Sequence, residues 1–430
     1  MTSAVLFGSF VLLLLIGVPI GIALGTASLL AISTISFLTY DFYALGLVSG
    51  VNSFTLMAVV LFTLAGNLMS RGGISRRLIA VAEAFFGTAP GGLGTVTIMA
   101  CLFFAAISGT GSATVAAIGL AMIPALVRRG YDRAYAGSMV ASAGALGVMI
   151  PPSVVMIVYA VTAGVSVSAL FLAGILPGIV IAFALILFNI YQTWRGGWEA
   201  EAEAATWAER FRRVNDAKLA LLMPVVVLGG IYGGIVTPTE SAAVAVVYAL
   251  IVSTLVYKEL KWAELPRIML DSALLVAAVL VIIGASVGFG RIIALERIPL
   301  ELSQFVLGLT QNWVIVLLAI IVLLLIIGTF LETLAAIVIL TPVLLPMITQ
   351  LGVDPIHFGI IMIVALAIGF VTPPLGANLF MAAQVGQIPY DDLVRRIFKW
   401  VLVLTAALLV IAFWPGLSLI LPRILLGYGT

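Results

Sequence analysis

The groups capable of chemistry sit in four interruptions of otherwise apolar sequence. Ser108-Gly109-Thr110-Gly111-Ser112 and Gly328-Thr329-Phe330-Leu331-Glu332-Thr333 each fall in the middle of a long apolar stretch. Each is followed by a Pro-Pro break, Gly147-Val148-Met149-Ile150-Pro151-Pro152-Ser153 and Gly369-Phe370-Val371-Thr372-Pro373-Pro374-Leu375-Gly376-Ala377-Asn378. Hydroxyls and unwound backbone carbonyls suit Na⁺, and the N-terminus of a half-helix suits an anionic group. At membrane depth such polar groups cannot go unpaired, so breaks persist where they line a cavity or bind something. A single Pro-Pro is as readily a kink. Four breaks in two matched pairs predict two ion sites around one central substrate site.

The elements that position these residues must be membrane helices. The chain is 63% hydrophobic and only 9% charged over 430 residues, whereas soluble chains are about a quarter charged. Its 42 glycines and 18 prolines suit helices whose neighbours re-satisfy the backbone. A β-barrel would alternate in short segments, but residues 170–190 are continuously apolar. A net charge of +2 with scattered basic residues gives no nucleic-acid surface, and the single Cys101 excludes an internal disulfide and cysteine-based metal clusters. The beginning of the chain reads as a retained first helix, without a basic leader region.

Apolar runs predict full spans near residues 4–22, 25–40, 50–70, 133–160, 168–192, 219–236, 240–257, 268–290, 356–383 and 398–421. Residues 4–38 carry no charge and read either as two spans or as one long tilted helix. Residues 94–127 and 314–347 differ, because their polar tips divide them into arms short against the roughly 20 residues of a crossing. Arg71, Arg76 and Arg77 precede the first, and Arg128, Arg129 and Arg133 follow it. By the positive-inside rule both its ends are cytoplasmic, making it a re-entrant hairpin. The second has no Lys or Arg between Gln311 and Gln350 and is expected to enter from the opposite side.

A shift of 222 positions places Gly130, Asp132, Gly137, Ala143, Ala145, Gly147, Pro151 and Pro152 on Gly352, Asp354, Gly359, Ala365, Ala367, Gly369, Pro373 and Pro374 without a gap, and Pro124 on Pro346. This is the pattern of an inverted-topology repeat. The expected fold is an all-α polytopic membrane protein with two re-entrant hairpins and two Pro-Pro-broken helices. Its segments are first-repeat scaffold and connector (1–93), first hairpin, broken helix and span (94–192), a polar cytoplasmic connector (193–218), second-repeat scaffold (219–313), second hairpin and broken helix (314–397) and a C-terminal helix (398–430). The connector's Glu199, Glu201, Glu203, Glu209, Arg210, Arg212 and Arg213 read as a solvated face. Asp132 and Asp354 precede helices and read as structural caps. His357 reads as an interfacial or satisfied residue, and Glu332, an acid within an apolar stretch, as functional.

The long motifs around 328–337, Thr341-Pro342-Val343-Leu344-Leu345-Pro346 and 368–380, together with Thr237-Pro238-Thr239-Glu240-Ser241-Ala242-Ala243 and Ser108 to Thr114, closely resemble the large membrane subunit of TRAP transporters, the DctM family. The resemblance covers nearly the whole chain. It implies an elevator-type, Na⁺-driven importer in the bacterial inner membrane that works with a small four-helix membrane subunit and a periplasmic solute-binding protein delivering an organic acid. Na⁺ is then the only metal, as coupling ion. Carried onto this sequence, a first Na⁺ site draws on Ser108, Gly109, Thr110, Gly147 and Pro151, and a second on Gly328, Thr329, Thr333, Thr372 and Gly376. The substrate would meet Ser108, Ser153, Glu332 and Asn378. Competing readings are a stand-alone divalent-anion/Na⁺ symporter, a passive channel, and an intramembrane hydrolase using Ser108 or Ser112, for which the only histidine, His357, is no convincing base.

Overall fold

A computed structural model describes residues 2–198 and 205–429, and contains no strand among them. Nine of its helices are long and apolar enough to cross a membrane, or ten if the bent pair Arg133–Met149 and Val154–Ala163 is one span. Contrary to the sequence-based expectation of short arms, the nine include the hairpin arms Gly111–Arg128, Trp313–Phe330 and Thr333–Gln350, each 18 residues long. The first half comprises α1 (Thr2–Leu15), α2 (Ile20–Ile32), α3 (Tyr40–Val51), α4 (Met57–Arg71), α5 (Ile74–Phe86), α6 (Gly92–Ser108), α7 (Gly111–Arg128), α8 (Arg133–Gly144), α9 (Leu146–Met149), α10 (Val154–Ala163) and α11 (Val167–Gly196). The second comprises α12 (Trp207–Tyr232), α13 (Pro238–Ile251), α14 (Leu265–Leu295), α15 (Ile298–Leu309), α16 (Trp313–Phe330), α17 (Thr333–Gln350), α18 (Pro355–Gly369), α19 (Ala377–Gly386), α20 (Tyr390–Phe413) and α21 (Gly416–Leu426).

The helix ends repeat as the sequence does. Ser108 and Phe330, Gly111 and Thr333, Arg128 and Gln350, and Arg133 and Pro355 are helix termini separated by 222 positions in every case. Asp132 caps α8 by accepting from the Tyr135 N–H at 2.8 Å, and Asp354 caps α18 by accepting from Ile356 and His357 at 2.8 and 3.2 Å. Both aspartates are structural, as expected. Both Pro-Pro bonds, Pro151-Pro152 and Pro373-Pro374, are cis.

Helices apolar on every side are buried helices. In α18 every residue from Ile356 to Gly369 is buried, and in α8 every residue from Tyr135 to Gly144. The two broken helices therefore form the centre, and the hairpins and long helices wrap them. The halves also exchange contacts: α10 packs on α17, and α19 packs on α7. A smaller apolar cluster joins α1, α2 and α3 to α14.

Several span boundaries differ from the sequence-based ones. Residues 4–38 form two helices, neither long enough to cross alone, and the chain turns at Gly17, whose φ is +83°, just before Pro19. Residues 40–51 are a separate helix, as are the amphipathic α5 and α15. The 398–421 span is broken after Phe413, ahead of Pro415. The polar connector is helical from Trp207 onward, because Thr206 caps α12 and Glu209 pairs with Arg213 one turn on, at 2.7 Å. Glu199, Glu201 and Glu203 lie outside the described residues.

Asp354 also accepts from the Tyr428 hydroxyl at 3.1 Å, whereas the second contact of Asp132 is Arg396 at 3.6 Å. Asp354→Ala should therefore cost more stability than Asp132→Ala, each losing about 1 kcal/mol for the cap. Melting curves of the purified variants test this, and equal melting temperatures would refute the ordering.

Candidate ion and substrate site

The first hairpin turns in two residues, Gly109 and Thr110, between α6 and α7. Gly109 has φ +63°, and a Cβ there would meet the Pro152 carbonyl oxygen at 2.9 Å, so the tip lies directly on the first break. From the other side, a Cβ on Gly147 would run into the Thr110 carbonyl and stand 2.7 Å from Thr114 Oγ1. Between them three neutral oxygens gather. Ser108 Oγ lies 2.9 Å from Thr114 Oγ1 and donates to Thr110 O at 3.3 Å, and Thr114 Oγ1 donates to Thr110 O at 2.9 Å. Ser108 and Thr114 are buried. The structure thus brings Ser108, Gly109, Thr110 and Gly147 together. Pro151 is placed at the same break, where it also lines an apolar cavity of about 360 Å³ between α6, α11 and α12. Thr114, absent from the predicted set, belongs with it; its signal in the sequence is its position one helical turn after Thr110.

The second unit is built alike. A Cβ on Gly369 would stand 2.5 Å from the backbone of Gly328, so hairpin and broken helix touch backbone to backbone. Thr372 Oγ1 donates to Ile368 O at 2.7 Å, and Thr329 Oγ1 to Ile326 O at 2.7 Å. Thr333 is buried, and Gly376 adopts φ +49° beside the Thr372 carbonyl. The carbonyls released by the second break are largely taken up: Phe370 O accepts from the Asn378 N–H at 3.1 Å, and the Tyr390 hydroxyl reaches Pro374 O and Leu375 O at 2.8 and 3.1 Å. Tyr390 was not foreseen, lying beyond the break in sequence.

The two units meet where α7 and α19 begin. Ser112 Oγ donates to Asn378 Oδ1 at 3.4 Å, and a Cβ on Gly111 would stand 3.0 Å from Asn378 Nδ2. Asn378 is only 1% exposed. Of the predicted substrate contacts, Ser108 and Asn378 thus flank the start of α7. Ser153 lies at the first break, donating to Val148 O at 2.8 Å and capping α10. Glu332 caps α17, its Oε2 accepting from the Leu334 and Ala335 N–H groups at 3.1 and 3.3 Å. Among the described residues no three His, Cys, Asp or Glu side chains gather as metal ligands, so a cation in either unit would rest on neutral oxygens. His357 is far from hydrolytic use: Nδ1 faces Ser418 Oγ and Nε2 faces Ala412 O, both at 3.2 Å.

Comparison with known proteins agrees with this architecture. The profile of the family described as "Tripartite ATP-independent periplasmic transporter, DctM component" matches residues 7–417. The chain is 37% identical to the C4-dicarboxylate TRAP transporter large permease protein DctM of Rhodobacter capsulatus, covering 99% of this chain and 100% of that one. It is 36% identical to the sialic acid TRAP transporter large permease protein SiaM of Vibrio cholerae, over 97% of each. It is 46% identical to the isethionate TRAP transporter permease protein DctMQ of Oleidesulfovibrio alaskensis, over 96% of this chain but only 65% of that longer protein. In fold it is similar to the YdaH transporter of Alcanivorax borkumensis, with a TM-score of 0.65 at 16% identity, covering 87% of this chain and 88% of the other. The chain belongs to the DctM family of tripartite ATP-independent periplasmic transporters, whose members are large membrane-spanning permease subunits and not enzymes.

Proposed function

We propose that this chain is the permease of a Na⁺-coupled, binding-protein-dependent importer of a small organic acid in the bacterial inner membrane. The observation that carries the reading is the pair of hairpin tips seated on Pro-Pro breaks, with Ser112 of one unit against Asn378 of the other. Each unit offers neutral oxygens to a Na⁺ ion, and the N-termini of α7 and α19 offer N–H groups to a carboxylate or sulfonate between them. The names of the relatives support a small organic acid, isethionate and C4-dicarboxylates among them. A small four-helix membrane subunit and a periplasmic binding protein complete the importer. The two repeats are inverted across the membrane, and the hairpins move with the broken helices as an elevator. Proteoliposomes with this chain alone should take up no solute, and adding both partners should restore uptake. Robust uptake by the chain alone would favour the stand-alone divalent-anion symporter.

Inversion is tested by cysteines at Gly130 and Gly352, two positions with open space around them. An impermeant thiol reagent should label the first only from the cytoplasm and the second only from the periplasm; labelling of both from one face would end the inverted reading.

Thr372→Ala should raise the Na⁺ concentration for half-maximal uptake about tenfold, the cost of one lost hydroxyl ligand. Glu332→Gln separates charge from capping, because the amide oxygen can still accept from Leu334 and Ala335. Uptake should fall severely with protein abundance unchanged; unaltered uptake would leave Glu332 a cap alone.

Gly369→Ala should push the second hairpin off its break and abolish uptake. Gly229→Ala, with nothing within 4 Å of the added carbon, should leave it intact. Normal uptake by Gly369→Ala would show that close seating is dispensable.

A further inference from the structure

The cavity of about 360 Å³ beside the first hairpin has no part in holding a cation, because none of the tip hydroxyls lines it. The hairpin and its break contribute Ala106, Ile107, Ile150 and Pro151, and α12 contributes Ala220 and Leu221. α11 adds Ile179. Every side chain around the cavity is apolar.

The repeat does not force this wall to be apolar. Ile107 and Ile150 stand where the second half, 222 positions on, carries the hydroxyls of Thr329 and Thr372. A buried water needs about two to four polar partners, and no side chain here offers one. Apolar cavities of about 150 Å³ already stay dry and take up benzene. At more than twice that size, this one has room for a length of hydrocarbon chain.

The cavity is continuous with the face that meets the bilayer. α11 and α12 are both long and apolar enough to cross the membrane, and Ala220 and Leu221 lie in the uncharged stretch of α12 that begins after Lys218. Ile179 lines the cavity and is also 49% exposed, in line with the exposed Phe183 one turn further along α11. On α12 the exposed neighbours are Leu222 and Val225. Hydrocarbon therefore reaches the opening, and an apolar space beside it gains dispersion contacts when a chain fills it. We propose that the cavity is an acyl-chain site, in which one tail of a membrane phospholipid passes Ile179 and lies against Ile107 and the first Pro-Pro break. The tail is recognised by its hydrocarbon, so the headgroup does not select it.

The full chain, reconstituted in bilayers of phosphatidylglycerol or phosphatidylcholine with a photoreactive diazirine near the end of one acyl chain, tests this after irradiation and peptide mass spectrometry. Adducts should form on Ile107, Ile150 or Ala220, side chains buried within the protein, as well as on the bilayer-facing Phe183 and Val225. The two headgroups should give equal yields at the buried positions. Ala220→Trp fills the cavity and should lower the buried adducts about tenfold while those on Phe183 and Val225 persist. Ala106→Phe, from the opposite wall, should do the same, and melting temperatures of both variants establish that they fold. Adducts confined to Phe183 and Val225 would show the cavity to be empty and overturn the proposal. Buried adducts undiminished in either folded variant would overturn it as well. A strong preference for one headgroup at the buried positions would overturn recognition by the tail.

Discussion

Everything at the centre of this molecule follows from one constraint: backbone groups released by a broken helix have no water to turn to at membrane depth. Each break is closed by local side chains. At the first, the Ser153 hydroxyl returns to Val148 O. At the second, Thr372 returns to Ile368 O, and Tyr390 reaches the two carbonyls after the prolines. A break repaired in this way is stable without a ligand, yet its hydroxyl and carbonyl oxygens keep lone pairs that remain available to accept. With the exception of Glu332, polar groups are thus held at depth as neutral oxygens and amides, whose desolvation is far less costly than that of a charge.

Glycine turns that constraint into geometry. The second hairpin lies on its break backbone to backbone, and a side chain at Gly328 or Gly369 would hold them apart. Close packing likewise explains Gly111, which leaves room for the buried amide of Asn378, and Gly144, where a Cβ would run into the Val115 side chain. The exchanged packing of α10 on α17 and α19 on α7 then ties the two halves together, so neither hairpin is positioned by its own half alone. A displacement of one unit is felt by the other through these shared faces.

Much of this was readable in the sequence, for identifiable reasons. Hydrophobic runs, Pro-Pro pairs and a gap-free repeat are local or strictly periodic signals, and they located both hairpins, both breaks and the capping roles of Asp132 and Asp354. Side-chain partnerships between elements far apart in sequence carry no such signal. Ser112 and Asn378 meet only because α7 and α19 pack together, and the bond of Ser153 to Val148 O depends on where the helix breaks. Glu332 stood out as an acid in apolar surroundings; its capping of α17 depends on where the helix starts, the least certain feature of a sequence reading. The amphipathic α5 and the helical start of α12 escaped because neither is apolar enough to read as a span.

Tyr135 and His357 show what the repeat preserves. They stand 222 positions apart, three residues after the capping aspartates, and share no chemistry. Each nonetheless reaches the long helix that follows its own broken helix. The Tyr135 hydroxyl donates to Asn189 Oδ1 of α11 at 3.0 Å, and His357 reaches Ala412 O of α20. The carbonyl can only accept, so Nε2 of His357 carries the proton; in the neutral ring Nδ1 then accepts from the Ser418 hydroxyl. Ser418 is available because α20 ends at Phe413 and the chain turns into α21, a break with no counterpart in α11. The second half therefore reaches the same fixation by bonding a freed carbonyl where the first bonds a side-chain amide. What recurs between the halves is the position from which the broken helix is held, and the side chain at that position follows from whichever partner the neighbouring helix presents.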